Sequence, residues 1–293
     1  MLHGNNKQIN ISGKQWLENT FDSNSWVILS PVEQSIRAKI EKYGTPLRDW
    51  DIKINRGVLT GCNEAFIITT AKREEILANC KTKDERKRTD EIIRPILRGR
   101  DIKRYKYDWK GLWLIGLFPS RHYDIDTLPA IKKYLLDFGF DRLKQTGEPG
   151  ARKKTSNKWF ETQDTIAYWE DFSKPKIAWA DISTEPSFVE VSEKFFFNNT
   201  CYMLSPAPLY LLGILNSKLI KWFFPKIASD LGEGSRYFKQ FVELLPIKKL
   251  TQGEISILEN LLRKRPIDDE QVNAFVYKQY QLTAEEILFL NHL

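Results

Sequence analysis

Histidine is scarce in this 293-residue chain, which has only His3, His122 and His292. With two of these near the termini, neither a histidine metal cluster nor a Ser-His-Asp arrangement has the material it needs. His122, in PSRHYD, reads as a loop or surface residue. Cysteine is as rare: Cys62, Cys80 and Cys201 are odd in number and have no close pair. A disulfide framework and a cysteine zinc site are both unsupported, and a reducing cytoplasm fits best. Glycine-rich phosphate turns are missing too. No G-x-G-x-x-G and no G-x-x-x-x-G-K-[ST] occurs, and the nearest approach, Gly232 and Gly234 in DLGEGSRYF, reads as a flexible loop. Long apolar runs are absent as well. The most apolar stretch, residues 204–224, carries Pro206, Pro208, Asn216, Lys218 and Lys221, so it reads as a buried helix and not a membrane span. The N-terminal MLHGNNKQIN lacks the apolar core of a signal peptide.

What is abundant is aromatic surface and positive charge. Nine Trp, 11 Tyr and 17 Phe accompany 42% hydrophobic residues, enough to fill a substantial core in one large domain or two smaller ones. The formal net charge of +7 favours polyanionic partners. That charge is concentrated. Residues 72–106 hold 13 Lys and Arg against 7 Asp and Glu, and residues 142–158 hold 6 against 1.

Local signals give a mixed order of helices and strands. SPVEQSIRAKIEKYG (30–44) offers Ser30 as a cap, Pro31 at the first helical position, Glu33 at the third and Gly44 as terminator. It suggests that residues 1–50 form a helical linker. In INRGVLTGCNEAFII (54–68), Gly57 and Gly61 divide two strand-like runs, 51–56 and 64–69, which predicts a β-hairpin followed by a helix from near Lys72. Here Gly57 and Gly61 let the backbone turn and approach a neighbour, and Asn63 and Glu64 fix the turn. Further strands are expected at 112–118 and in the segments around 176–205, with an Asn198-Asn199 turn. After residue 250 the chain turns helical, broken at Pro266 and capped at Thr283. The expected fold is α+β, an irregular α/β in which a mixed twisted sheet with packed helices precedes a helical C-terminal tail. The expected division is 1–50, a main domain over 51–250, and a C-terminal helical element over 251–293 that could dock separately.

Candidate chemistry is thin and candidate binding is ample. Asp90, with Asp101 and Lys103, imitates the carboxylate and lysine set of a metal-dependent nuclease, without further support. No catalytic or metal-binding residue is assigned on sequence grounds. RGRDIKRYKY instead places Arg98, Arg100, Lys103, Arg104 and Lys106 beside Tyr105 and Tyr107, and ARKKTSNKWF places Arg152, Lys153, Lys154 and Lys158 beside Trp159. Arginine can pair with phosphate or grip guanine O6 and N7, and lysine acts as a point charge, so the mixture suits duplex DNA.

Five blocks in sequence order carry a family resemblance: RGVLTGCNEAFII, IIRPILRGRDIKRY, WFETQDTIAYWEDFSKPKIAWADIS, FFFNNTCYML with LYLLGILNSKLIKWFF, and RYFKQFVELLPI. Over residues 50–293 the chain resembles the TaqI-like C-terminal specificity domain of type IIG restriction-modification enzymes and related adenine methyltransferases. The LGILNSKL helix is also similar to type I specificity subunits. This resemblance implies a target recognition domain that reads double-stranded DNA while other domains of the same polypeptide, using S-adenosylmethionine and Mg²⁺, methylate adenine N6 or cut nearby. No Asn-Pro-Pro-Tyr motif and no Pro-Pro pair is present, which implies that residues 1–50 end a connection from a methyltransferase domain lying elsewhere. Asn63, Arg98, Arg100, Lys103, Arg104, Arg152, Lys153, Lys154, Lys158, Trp159, Arg236 and Tyr237 are the candidate DNA contacts, and no cofactor is expected in this chain itself. Two rival readings stay open at this point: an autonomous nuclease using Asp90, Asp101 and Lys103, and a protein-interaction module using the aromatic surface and the helical tail.

Overall fold

A computed structural model of the chain describes residues 9–10, 16–17, 29–228, 230–231 and 234–293. Ile9–Asn10 and Trp16–Leu17 pair as antiparallel strands. The helical reading of the remaining residues before 29, His3 and the loop at Gly232 lie outside the described residues.

The architecture is organised by one sheet. Lys176–Ala180 lies between Val189–Val191 and Cys201–Ser205, and the latter pairs on its other side with Lys53–Arg56; all three pairings are antiparallel. Successive side chains in a strand point to opposite faces. Ile54, Ile177, Trp179 and Leu204 therefore enter one hydrophobic core, while Ala178, Val189, Val191, Cys201 and Met203 enter another. The sheet is a wall shared by two cores, which is why every residue of KIAWA is buried. Even Lys176, 1% exposed, lies inside, and its Nζ donates to the carbonyls of Phe172 (2.5 Å) and Ser192 (2.8 Å). Burial brings its pKa down to about 8.

The first core is closed by a second sheet, in which Ile93–Leu97 pairs parallel with Phe196–Phe197 and antiparallel with Leu112–Ile115, which also pairs with Ile67–Thr69. Helices Thr70–Ala78, Lys83–Ile92 and Pro129–Leu143 flank it. The last of these is interrupted at Gly139, whose φ of 136° only glycine adopts readily.

The second core joins both ends of the described chain. Helix Pro31–Tyr43 begins with the expected capping box, Ser30 with Glu33, and ends at Gly44. It packs against the terminal helix Ala284–Asn291, where Glu286 accepts from Ser35 Oγ and Lys39 Nζ, both at 2.7 Å. Burial pushes the Glu286 carboxyl up, but these donors and the Thr283 N–H together bring it below the usual carboxylate range. Gln252–Arg263 and Asp269–Gln279 complete the packing around Leu258, Val276 and the fully buried Tyr280. The apolar stretch at 204–224 is a pair of short buried helices, Tyr210–Leu215 and Lys218–Phe223, divided at Asn216 and Ser217. Among the described residues, no helix is long and apolar enough to cross a membrane.

The expected hairpin at 51–69 does not form. Lys53–Arg56 pairs with Cys201–Ser205 and Ile67–Thr69 with Leu112–Ile115, so the two strands belong to different sheets, and Asn63–Phe66 is a single helical turn between them. The glycines nevertheless serve close approach. A Cβ on Gly57 would stand 2.0 Å from the Asn198 carbonyl oxygen, and Gly61 has φ of 76° against Gln163 and Arg152. The loop thereby ties the end of one basic segment to the neighbourhood of the other.

Candidate nucleic-acid interface

An open groove of about 780 Å³ lies at the end of the central sheet. One wall is the turn Arg98–Lys103; the other is the segment from Ala180 to Ser187, with Asn198 and Thr200 at the base. Backbone groups and the Thr200 hydroxyl hold the walls together. Gly99 N–H donates to Thr200 Oγ1 (2.9 Å), Asp181 N–H to the Thr200 carbonyl (3.0 Å), and Tyr237 N–H to the Asp181 carbonyl (3.0 Å). A Cβ at Gly99 would meet the Thr200 carbonyl oxygen at 2.8 Å, so glycine permits the walls to approach.

The groove's charges divide into held and free. Asp101, 2% exposed, receives Arg98 Nε and Nη2, each at 2.9 Å, along with the Arg98 N–H. Burial raises the Asp101 carboxyl, but the Arg98 side chain and N–H outweigh it and leave the pKa below its ordinary value. Arg98 is thus a bracket for the turn. Arg100 and Lys103 are exposed and make no ion pair among the described residues. Arg56, on the adjacent strand, donates Nε to the Asn199 carbonyl (2.7 Å) and lies over the Tyr202 ring. Arg236, paired in register with Ile182, lies over Phe238.

The second basic segment is a compact loop around one buried guanidinium. Arg152, 2% exposed, donates to the carbonyls of Leu143 (2.9 Å), Thr60 (2.9 Å), Glu161 (2.8 Å) and Trp159 (2.7 Å). Burial lowers its pKa to about 10. Lys153, Lys154 and Lys158 are exposed around it, while half-buried Trp159 packs edge-on against Phe140 and Phe160. Nearby, exposed Asn63 accepts from Thr60 Oγ1 at 2.8 Å, as a turn-fixing residue would.

Several sequence candidates therefore need correcting. Arg152 cannot reach a ligand, because its donors are engaged by carbonyls in the interior. Tyr237 is 2% exposed and stacks on Phe224 at 3.9 Å, so it too is a core residue. Arg104 pairs with Asp269 and donates to the Asn216 carbonyl (2.8 Å), which ties the basic turn to the C-terminal helices. The accessible members are Arg100, Lys103, Arg236, Lys153, Lys154, Lys158 and Asn63. Sequence reasoning missed Arg56, Asp181, Asn198 and Thr200. The signal available was the abrupt change from the apolar run IAWA to Asp181 and the polar NNT at the next strand's start.

The nuclease set does not assemble as a metal site. Asp90 pairs with Arg73, Asp101 is held by Arg98, and no group of three metal-ligating side chains converges among the described residues.

The groove thus presents two exposed cations without an ion pair, Arg100 and Lys103, beside the acidic Asp181 and Glu185. Residues 94–247 match the family described as the TaqI-like C-terminal specificity domain, and the chain belongs to that family. Two solved structures share the fold. The type IIL restriction-modification enzyme MmeI, in complex with DNA, aligns with a TM-score of 0.56 at 13% identity, over 85% of this chain and 36% of that one. The type IIG restriction endonuclease BpuSI aligns with a TM-score of 0.57 at 16% identity, over 89% of this chain and 31% of that one. The chain thus spans about a third of the length of each enzyme. Comparison with curated proteins gives no match.

Proposed function

We propose that this chain is the target recognition part of a restriction-modification enzyme and that it binds duplex DNA through the groove between Arg98–Lys103 and Ala180–Ser187. The observation that carries this reading is the coincidence of the family match with that groove: Arg100, Lys103, Arg56 and Arg236 line or border it on a frame fixed by backbone hydrogen bonds. Exposed lysines set the register on phosphates, and side chains along the groove reach base edges. Lys153, Lys154 and Lys158 add a second phosphate contact. The parent enzyme would be an adenine-N6 methyltransferase, with or without an endonuclease. S-adenosylmethionine and Mg²⁺ would act in its other domains.

The test is binding of the chain to a broad pool of labelled duplexes, followed by fluorescence anisotropy across a salt series. Log affinity should fall linearly with log salt, with a slope of about −0.9 per phosphate neutralised. Arg100→Ala and Lys154→Ala should each weaken binding and reduce the slope. A salt-independent interaction, or two alanine variants with unchanged affinity, would reject this surface.

A further inference from the structure

Asp181 contradicts the charge of the groove it occupies. It follows directly on the Lys176–Ala180 strand, and its position is fixed on both sides of the backbone: its N–H donates to Thr200 and its carbonyl accepts from Tyr237, each at 3.0 Å. The other acids of the groove are accounted for. Asp101 is clamped by Arg98, and Glu185 pairs with Lys221 at 3.4 Å. Asp181 feels the charges of Arg56 and Arg236 but pairs with neither; its own N–H and that of Ile182 donate to its carboxylate, and no side chain does so among the described residues. Burial raises its carboxyl above the usual range despite those two cations. A carboxylate has about four acceptor sites, so the backbone N–H groups of Asp181 and Ile182 leave lone pairs of this half-buried group open to a donor from outside.

The identity of that donor follows from the chemistry of duplex DNA. Phosphates repel a carboxylate, so Asp181 cannot serve the backbone. In the major groove the donors are the exocyclic amines, cytosine N4 and adenine N6. Adenine presents its N7 lone pair beside N6, facing the second carboxylate oxygen, whereas cytosine presents N4 with no acceptor on the same base. Resting on the DNA-recognition reading above, we propose that Asp181 is a specificity-determining residue that accepts a hydrogen bond from cytosine N4, while Arg56 and Arg236 bring the flanking phosphates or guanines to either side.

The experiment is selection of randomised duplexes by the full 293-residue chain, followed by affinity measurement on single-base variants of the selected site. The wild type should select a site with an invariant cytosine whose replacement weakens binding about tenfold or more. Asp181→Ala should make that one position degenerate, with less than about twofold discrimination, and keep the others. Asp181→Asn, which gains a donor, should move the preference there towards adenine. Lys103→Ala should weaken all sequences evenly, and thermal melting should show each variant folded. Retention of the cytosine by Asp181→Ala, or equal loss at all positions, would overturn the assignment while leaving DNA recognition intact. Failure of the wild type to enrich any duplex would instead overturn the DNA-recognition reading, and Asp181 with it.

Discussion

Gly57 and Arg152 show how much a single residue can decide here. With the Asn198 carbonyl oxygen 2.0 Å from where its Cβ would stand, Gly57→Ala must push two strands' ends apart. The expected cost is about 2 kcal/mol, read as a lower urea midpoint. Arg152→Ala would remove a donor from four carbonyls, of which those of Thr60 and Glu161 keep a second one, from Gln163 N–H and Gln145 Nε2, and those of Leu143 and Trp159 do not. It should lose about 3 kcal/mol of stability. Lys154→Ala, on the exposed rim of the same loop, should melt like the wild type and lose DNA affinity. That contrast was invisible in ARKKTSNK. A run of like charges indicates a loop near an anion, but which guanidinium turns inward depends on carbonyls at Thr60 and Glu161 brought in by the fold. Asp181 was equally silent, because its meaning comes from Arg56 and Arg236, which lie about 125 and 55 residues away in the chain.

At the scale of elements, what was legible was what is local. Ser30, Pro31, Glu33 and Gly44 delimit their helix, and Thr283 caps the last one, because caps and terminators act within one turn. The hairpin failed for the opposite reason. Two strand-like runs divided by glycines look alike whether they pair with each other or with partners far along the chain, and here Lys53–Arg56 reaches Cys201–Ser205. The C-terminal helices present a similar case. Their sequence marks them as helices, and only the packing shows that Leu258, Val276 and Tyr280 share a core with Ile36 and Trp179. Truncation after residue 250 should therefore expose that core. The shortened chain is expected to aggregate or to lose its cooperative melt, as circular dichroism and size-exclusion chromatography would show.

For the molecule as a whole, the shared wall joins both cores, so unfolding should be a single transition. Its pH dependence follows from groups buried in their neutral forms. Burial raises the thiols of Cys62, Cys80 and Cys201, and pushes Tyr134, Tyr168 and Tyr277 up to about 12. The native state keeps these protons after the unfolded chain has released them, from about pH 8.5 for thiols and about pH 10 for phenols. Stability should fall as pH rises through those values. Lys176 and Arg152 act in the other direction: lowered to about 8 and about 10, they bind their protons less tightly when folded and oppose the loss, Lys176 between about pH 8 and 10.4 and Arg152 above about pH 10. Three thiols outnumber one amine, so the net slope should be negative above about pH 8.5, and it should stay negative above about 10, where the three phenols outnumber the one guanidinium. Urea midpoints across that range would measure it, and Cys201→Ala should flatten the first part.

The frame of the groove has a consequence for how such a domain could change over generations. Its walls are held by N–H and carbonyl groups at residues 181, 200 and 237 and by the Gly99 N–H on the Thr200 hydroxyl, not by the side chains of Arg100, Lys103 or Asp181. Those side chains can be exchanged without disturbing what positions them. Mutational drift at the rim would then alter preference while leaving folding untouched, and new target sites become accessible through single codon changes on an unaltered scaffold.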